Sequence, residues 1–341
     1  MGDMKILENV PLSGLTTMRL GGPARYVVEV ESPDEVAKAY DFAREKNLPT
    51  FVLGGGANTI ARDAGFNGVI IKNTMSGIEM DEASDESSGV LVKIMGGTDW
   101  DEAVAFTTER GLTGIEALSK IPGLSGAAPV QNIGAYGQDI SQVFVSAEVY
   151  DSLQNEFRTL EKADFGFSYR KSILNTREVG RYFVIAITLR LTHGVMARPF
   201  YNSVERYIEA NGISDLSPQS LREIVSAIRA DKLPDPRVKA SAGSFFKNIY
   251  LSETEAKEAE AKGYPVYRGH DGLKINSGWL IEECGLKGAL IHGMRVNPKA
   301  ALVLINESAA GYDDLAAARS EIIEAVREKF GYTLEQEPVE I

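Results

Sequence analysis

The chain has 341 residues, 44% of them hydrophobic and 25% charged, which is typical of a soluble globular protein and enough for two or three compact domains. Its formal net charge of -12 argues against nucleic acid and anionic membranes as partners, because both select clustered positive charge. No apolar run approaches the roughly 18 residues that a membrane-spanning helix needs. An anionic small molecule stays open as a ligand if a few cations lie in a cleft.

The cysteine and histidine residues indicate the cellular compartment and whether a metal site is expected. Cys284 is the only cysteine, so the chain cannot form an internal disulfide, and its first residues lack the basic and then apolar order of a secretory leader. We therefore expect a cytoplasmic protein. His193, His270 and His292 have no metal-ligand spacing with Cys284, and we expect no metal site.

The first predicted elements are a strand, a helix and a second strand. Alternating apolar residues predict a strand over 24–30. Ser32 and Glu35 stand at capping-box spacing with Pro33 at the first helical position, which predicts a helix after them. The second strand is predicted at 49–53.

A glycine-rich turn follows that strand directly. Its residues are Gly54, Gly55, Gly56, Ala57, Asn58 and Thr59. Such a turn lets backbone N–H groups approach a phosphate, so a nucleotide diphosphate is the functional interpretation and a flexible turn the structural one. The spacing Gly-x-Gly-x-x-Gly is absent and no Gly-Lys-Ser/Thr follows, which disfavours a Rossmann dehydrogenase or an ATPase.

A long uncharged loop is predicted in the middle of the chain. It follows strands at 69–72 and 90–94 and a helix over 100–110 that Thr98 is expected to cap. The loop itself, 121–137, holds mostly small, turn-forming and amide residues. This composition suits close packing of backbone against a flat, largely uncharged ring with amide-like edges, and a buried connector is the alternative.

Arg170 lies among aromatic residues between strands predicted at 143–150 and 182–191. A guanidinium group binds carboxylate or phosphate through two parallel hydrogen bonds, so Arg170 is a candidate ligand for an anion. A surface ion pair is the alternative.

The remaining elements interleave helices and strands, which favours an α+β or α/β fold. The predicted helices cover 218–232, 253–262, 276–282 and 315–330, and a strand covers 301–305. Two prolines within 232–236 mark a domain boundary.

The stretch 241–248 sets a hydroxyl among glycine, aromatic and polar residues. Gly243 can adopt backbone angles that are closed to other residues. If the stretch is extended, Ser244 lies on one face with Phe246, and Phe245 on the other with Lys247. It is either a site or a buried strand that ends in a turn.

Five segments in this order together resemble the UDP-N-acetylenolpyruvoylglucosamine reductase family of peptidoglycan synthesis. They are 54–58, 121–137, 169–170, 232–236 with 243–248, and 334–337. The resemblance implies an α+β protein with an FAD-binding fold of the vanillyl-alcohol-oxidase (PCMH) type in two lobes, 1–73 and 74–232. A separate α+β substrate-binding domain would cover 233–330, and a C-terminal strand within 331–341 would return to the flavin and substrate site.

The resemblance also implies the cofactors and the reaction. FAD is bound noncovalently, which agrees with the absence of His and Cys from the glycine turn and from the 121–137 loop. NADPH reduces the flavin and leaves. The reduced flavin then gives a hydride to C3 of the enolpyruvyl ether of UDP-N-acetylglucosamine, which leaves carbanion character at C2 and yields UDP-N-acetylmuramate after protonation. The implied class is an NADPH-dependent oxidoreductase acting on a CH–CH bond.

Three residues match the catalytic positions of the family. Ser244 matches the proton donor to C2, and Arg170 matches the arginine that holds the substrate carboxylate. Glu337 matches the second catalytic residue, and we expect it to be protonated or to orient a donor, because a carboxylate beside a developing anion is repulsive.

The resemblance assigns two further groups of residues. Besides the glycine turn, flavin contacts are assigned to Pro122, Gly123, Gly126, Ala127, Gln131, Asn132, Gly134, Ala135 and Tyr136. Substrate contacts are assigned to Tyr201, Lys232, Asn248, Tyr267 and Lys287.

Three details qualify this assignment. Tyr207 competes with Tyr201, because the segment that leads to Lys232 is longer than the family pattern. Tyr267, ahead of 271–274, resembles the type I form, in which a tyrosine loop closes over the substrate. Pro338 and Val339 follow Glu337 where some relatives carry a basic residue, so no basic contact is assigned there.

Two other functions stay open. A flavin oxidase of the same fold would pass electrons to oxygen and would not need Ser244, Arg170 and Glu337. A noncatalytic protein that binds a sugar nucleotide or a flavin is the other alternative. No extended apolar stripe is left over once the helices are packed, so we expect a monomer.

Overall fold

The computed structural model describes residues 4–81, 89–198, 200–269 and 272–341, so residues 1–3, His270 and Asp271 of the sequence arguments lie outside the described residues. The helices are α1 (Pro33–Glu45), α2 (Trp100–Thr108), α3 (Lys162–Phe165), α4 (Asn202–Asn211), α5 (Pro218–Lys232), α6 (Glu253–Ala261), α7 (Ser277–Glu283) and α8 (Tyr312–Phe330). Within the described ranges, no helix is long and apolar enough to cross a membrane.

The strands are distributed among these helices along the chain. They are β1 (Lys5–Pro11), β2 (Pro23–Val30), β3 (Thr50–Leu53), β4 (Thr59–Ile60), β5 (Phe66–Asn73), β6 (Ile78–Asp81), β7 (Val90–Met95), β8 (Leu112–Thr113), β9 (Gly134–Ala135), β10 (Gln138–Asp139), β11 (Phe144–Asp151), β12 (Glu156–Glu161), β13 (Tyr182–His193), β14 (Ser241–Ser244), β15 (Ile249–Leu251), β16 (Tyr267–Gly269), β17 (Gly272–Ile275), β18 (Leu290–Ile291), β19 (Met294–Val296), β20 (Val303–Asn306) and β21 (Val339–Glu340).

The chain forms two compact units that are not continuous in sequence. Unit 1 comprises Met1–Asn9, Ala24–Gly55 and Asn67–Arg229, and unit 2 comprises Val10–Pro23, Gly56–Phe66 and Ala230–Ile341. The expected division into 1–73, 74–232 and 233–330 follows the order of the chain and stays a prediction.

The first sheet of unit 1 has the order β1-β2-β5-β3, in which β3 and β5 run parallel. Helix α1 buries Val36 and Tyr40 in the same core as Val28 and Ile71 of this sheet. The predicted cap of α1 is confirmed, since the Ser32 Oγ accepts a 3.4 Å hydrogen bond from the Glu35 N–H. Strand β3 ends at Leu53, so it delivers the chain directly into the glycine turn.

A larger antiparallel sheet of unit 1 has the order β12-β11-β13-β7-β6, with β8 paired to β13. Helix α2 buries Trp100 and Val104 in the core of this sheet. The predicted cap of α2 is wrong. Asp99 is the N-cap and accepts from the Glu102 N–H at 3.0 Å, because the Thr98 Oγ1 is already hydrogen-bonded to the backbone of Gly77.

Helices α4 and α5 form a small apolar cluster of their own in unit 1. Val204 and Ile208 of α4 pack with Leu221 and Val225 of α5. Apolar residues on one face at helical spacing cause this pairing, since each helix must bury that face against another element.

Unit 2 contains the sheets β14-β20-β19-β18 and β15-β17-β16 and the parallel pair β4-β21. Helices α7 and α8 bury Leu280 and Ile322 in its core. Phe245 and Phe246 lie in the same core, and both are fully buried. Their placement on opposite faces was expected only if the stretch is extended, and strand β14 ends at Ser244.

Candidate functional site

In unit 1, Gly54 and Gly55 at the start of the glycine turn approach the uncharged loop so closely that side chains do not fit between them. A Cβ atom on Gly54 would lie 3.1 Å from the Ala127 Cβ, and one on Gly55 would lie 3.0 Å from the Gly123 Cα. Distances of this kind are tighter than ordinary van der Waals contact. The glycines are therefore needed for the backbone of the turn to lie against the backbone of the loop.

The turn also carries unused hydrogen-bond donors. In the part of the chain that the structure describes, the backbone N–H groups of Gly55, Gly56 and Ala57 donate to no protein acceptor. Gly56 has a φ of +65°, and backbone turns of this kind form concave groups of N–H donors that bind anions. N–H donors of this kind are chemically suited to a phosphate group.

The uncharged loop is held rigidly by side chains, mostly of amide and hydroxyl type. Asn132 donates from Nδ2 to the Ser168 carbonyl at 3.2 Å and accepts at Oδ1 from the Ser141 N–H at 3.1 Å. The Ser172 Oγ donates to the Val130 carbonyl at 2.7 Å. The bonds of Asn132 to Ser168 and of Ser172 to Val130 fix the loop to the segment that carries Arg170.

Arg170 lies directly against the uncharged loop. Its Nη2 donates to the Gly134 carbonyl at 3.2 Å, and its guanidinium carbon lies 5.0 Å from the centroid of the Tyr169 ring. Arg170 and Tyr136 have φ values of +53° and +50°, which are unusual for residues with long side chains. Each such residue costs on the order of 1–3 kcal/mol, and conformations of this kind cluster at functional sites.

Tyr201 lies beside the same loop. Its ring packs edge-on against the Tyr136 ring at a centroid distance of 5.8 Å. Tyr207, the competing residue, packs against the apolar cluster of α4 and α5. The structure therefore brings Tyr201 into ring contact with Tyr136, which is assigned to the flavin, and Tyr136 and Tyr207 both pack against that apolar cluster.

Two buried polar groups near this loop were missed in the sequence. Ser125 is fully buried. Among the described residues, neither its Oγ nor the buried Nε of Arg229 has a hydrogen-bond partner. Arg229 donates from Nη2 to the Lys120 carbonyl at 3.2 Å, and burial lowers its pKa. Burial raises the pKa of Tyr136, which is hydrogen-bonded to Arg229. The only sequence signal for Arg229 was its position one turn before Lys232 on one helix.

In unit 2, a bulge presents Ser244. Strand β14 pairs with β20 at Ser241 and at Ser244, and its register shifts between these two residues. Gly243 lies in the shift with a φ of +69°, as its predicted conformational freedom allows. Bulges redirect the side chains beside them, and here the half-buried Ser244 follows the bulge directly.

The C-terminal segment runs alongside this stretch. The Glu337 N–H donates to the Phe245 carbonyl at 2.9 Å, and the Lys247 N–H donates to the Glu335 carbonyl at 2.9 Å. The Val339 N–H then donates to the Asn58 carbonyl at 2.9 Å, where β21 begins to pair with β4. Three distant parts of the chain, which carry Ser244, Glu337 and the end of the glycine turn, thus meet within unit 2.

The other assigned residues of unit 2 are distributed over its surface. Asn248 accepts at Oδ1 from the Ser277 N–H at 3.2 Å, which fixes its amide at the start of α7. The Nζ of Lys287 is paired with Glu282 at 2.8 Å. Lys232 is exposed at the end of α5, and Tyr267 is half-exposed on β16, at the edge of a sheet and not in an irregular loop. In the described residues, no group of three or more His, Cys, Asp or Glu could hold a metal ion.

Comparison with known proteins gives a consistent result along the whole chain. The description "UDP-N-acetylenolpyruvoylglucosamine reductase, C-terminal domain" matches residues 235–341, and "FAD binding domain" matches residues 24–155. The UDP-N-acetylenolpyruvoylglucosamine reductase of Burkholderia multivorans is 37% identical over 343 residues, which cover 98% of this chain and 97% of that protein. The chain belongs to the UDP-N-acetylenolpyruvoylglucosamine reductase family. The reductases of the same name from Thermobifida fusca and Pseudomonas aeruginosa are 39% and 35% identical, and each match covers 98% of this chain.

Solved structures of other proteins support the fold. The UDP-N-acetylenolpyruvylglucosamine reductase of Thermus caldophilus has a TM-score of 0.67 at 23% identity, and the match covers 99% of this chain and 98% of that one. The 6-hydroxy-D-nicotine oxidase of Arthrobacter nicotinovorans has a TM-score of 0.54 at 13% identity over 98% of this chain. The predicted α+β flavin fold of the reductase family is confirmed, and the FAD-binding match includes Gly54 and the loop from Pro122 to Tyr136.

Proposed function

We propose that the protein reduces the enolpyruvyl ether of UDP-N-acetylglucosamine to UDP-N-acetylmuramate, with NADPH as the hydride donor and noncovalent FAD as the carrier, in the synthesis of peptidoglycan precursors. One observation carries the proposal. The C-terminal segment is hydrogen-bonded on one side to the stretch that contains Ser244 and further along to Asn58 of the glycine turn. A flavin oxidase of the same fold has no need to bring the stretches that carry Ser244 and Glu337 together in this way.

The described residues fit FAD. Within unit 1, the Gly55 N–H, which donates to no protein acceptor among the described residues, suits its diphosphate, and the uncharged loop with Asn132 and Tyr136 suits the flavin ring. When bound, FAD supplies a group that accepts a hydride from the nicotinamide and passes it to the substrate.

Arg170 and Ser244 handle the charge and the proton that the reduction of the enolpyruvyl group requires. Arg170 holds the substrate carboxylate, and its positive charge becomes more effective as negative charge builds on that group in the transition state. Ser244 donates its hydroxyl proton to C2. A serine hydroxyl is a weak acid, but the carbon of an enolate is a strong base, so the transfer succeeds when the bulge at Gly243 fixes its geometry.

The remaining assigned residues orient the substrate. Glu337 is placed by its backbone next to the Ser244 stretch, where it orients the proton donor or carries a proton itself. Asn248 keeps its Nδ2 directed away from α7, because its Oδ1 is already bonded to Ser277. Lys287 exchanges Glu282 for the diphosphate of the substrate, and Lys232 and Tyr267 contact the same part.

The proposal is tested by the visible absorbance of the flavin without oxygen. We expect NADPH to bleach the flavin band of the purified protein and the enolpyruvyl sugar nucleotide to restore it. The variant Ser244→Ala should bind and reduce its flavin normally but reoxidise about 100-fold more slowly, because general acid catalysis contributes about 10² to 10⁴ in rate.

Ser241→Ala, on the same strand, is the matched control and should reoxidise at the normal rate. Normal turnover by Ser244→Ala would show that another group donates the proton. A protein that takes up no FAD, or a reduced flavin that oxygen reoxidises while the sugar nucleotide does not, would overturn the proposed function.

A further inference from the structure

Glu340 is the centre of a charged cluster at the C-terminal strand of unit 2. Its Oε2 accepts hydrogen bonds of 2.8 Å from both the Arg62 Nη2 and the Tyr312 Oη. Its Oε1 accepts from the Arg319 Nη1. Tyr312 and Arg319 lie seven residues apart, on one face of α8, and Arg62 follows β4. A single carboxylate thus connects β21, α8 and the chain that follows β4.

The same cluster includes Gln336, on the other side of Glu337. The Arg319 Nη1 donates to the Gln336 Oε1 at 2.6 Å, and the Gln336 Nε2 donates to the Pro338 carbonyl at 2.8 Å. The residue before Glu337 and a residue three positions after it are therefore held by one arginine. The Glu337 N–H donates to the Phe245 carbonyl. The backbone position of Glu337 is therefore defined by this bond and by the Arg319 contacts to the residues on either side of it.

We propose that the Glu340 cluster holds Glu337 beside the Ser244 stretch, and that Glu340, Arg319 and Tyr312 are positioning residues for the reduction. This inference rests on the proposed function. The basic partners of Glu340 come from α8 and from the chain that follows β4.

The charge on Glu340 is present at every practical assay pH. Partial burial raises the pKa of Glu340, but hydrogen bonds from Arg62, Tyr312 and Arg319 outweigh burial and lower the pKa to about 2. The variant Glu340→Gln therefore removes a charge that the native protein always carries, and it preserves the shape of the side chain.

A double-mutant cycle between Glu340 and Glu337 tests the inference. We expect Glu340→Gln to slow the reoxidation of the flavin by the sugar nucleotide about 10-fold, through kcat more than through KM, and to leave the reduction by NADPH unchanged. In a protein that already carries Glu337→Gln, the second substitution Glu340→Gln should slow reoxidation by less than about 2-fold, because residues that act through one another are not additive.

Glu324→Gln is the matched control, since it breaks a 2.7 Å pair with Arg327 on the same helix and should leave both half-reactions unchanged. If the losses of the two single variants multiply in the double variant, Glu340 acts independently of Glu337 and the inference is wrong. If the sugar nucleotide does not reoxidise the flavin of the native protein at all, the proposed function is wrong, and the inference that rests on it is wrong as well. Should Glu340→Gln not fold, Tyr312→Phe removes one hydrogen bond of the cluster, and the same cycle is measured with it.

Discussion

Gly56 occupies a position where a side chain does not fit. Its φ is +65°, and a Cβ atom there would lie 2.0 Å from the Leu15 carbonyl oxygen. Backbone at this distance cannot move aside cheaply, because the Gly56 carbonyl is itself bonded to the Thr17 N–H at 3.0 Å. We expect Gly56→Ala to lower the free energy of unfolding by about 3 kcal/mol, from the left-handed conformation and the overlap together. Urea unfolding of the variant measures this loss.

Gly331 provides the matched control. It ends α8 with a φ of +78°, but apart from its chain neighbours no atom of the described residues would lie within 4 Å of a Cβ atom there. Gly331→Ala should therefore cost about 1 kcal/mol, the penalty of the left-handed conformation alone. Equal losses in the two variants would contradict the overlap at Gly56.

The sequence showed which residue types form the site better than it showed their conformations. The glycine run after β3 was recognisable as a turn that allows close backbone approach, because few residues other than glycine permit it, and its binding of a diphosphate stays a prediction. The left-handed conformations of Tyr136 and Arg170 had no such signal, because neither residue type favours them. Ser125 and Arg229 were missed for a related reason, since burial of a serine or an arginine depends on the tertiary structure.

At the scale of elements, a buried carboxylate ties the turn between β11 and β12 to the chain before β13. The side chain of Asp151 is fully buried and accepts from the Arg181 Nε at 2.9 Å and the Arg181 Nη2 at 2.6 Å. Hydrogen bonds from Arg181 lower the pKa of Asp151 to about 2. Because the pKa is lower in the folded state, ionised Asp151 stabilises the fold fully at a pH above its unfolded pKa of about 3.9. This stabilisation is lost as the pH falls through the folded pKa of about 2.

We therefore expect Asp151→Asn to be about 2 kcal/mol less stable than the native protein at pH 7, and this difference to shrink between pH 4 and pH 2. Urea unfolding at each pH measures it. Glu178→Gln is the control, since Glu178 pairs with the same Arg181 at 3.2 Å but is partly exposed, and it should cost less than about 1 kcal/mol. A constant difference between native protein and Asp151→Asn from pH 7 to pH 2 would contradict this account.

Elements with strong local signals were predicted well, and elements without them were not. Helix α1 carries its own cap and proline, and α8 carries a long apolar face, so both were identified from sequence. Strand β12 was missed because five of its six residues are exposed, which removes the apolar alternation. Helix α4 was missed because its apolar face is short and is recognisable only beside α5.

At the scale of the whole molecule, the fold class could be predicted from the resemblance. Which segments of the chain make up each of the two units could not be predicted. Residues 10–23 and 56–66 belong to unit 2 with 230–341, although they are separated from it by most of the chain. The link lies in backbone contacts such as the parallel pair β4-β21 and the bond from the Ser241 N–H to the Thr17 carbonyl at 3.1 Å. Backbone hydrogen bonds do not depend on a particular pattern of side chains, so they cannot be predicted from the sequence pattern.

The mode of flavin attachment is also a property of the whole molecule, since any exposed nucleophile could form a tether. The glycine turn and the loop over 121–137 contain neither Cys nor His, and burial raises the pKa of the single Cys284, which keeps it a thiol. We expect acid precipitation of the flavin-loaded protein to leave all of the flavin in the filtrate. The control is the variant Cys284→Ser with added FAD, from which the flavin should be recovered in the same way.

The thermal midpoint should also depend on the flavin. Removing the flavin by dialysis should lower the midpoint, because a ligand at 100 times its Kd stabilises the folded state by about 2.7 kcal/mol. A yellow precipitate, or a midpoint that does not respond to added FAD, would show that the flavin is not held as a reversible ligand of the folded protein.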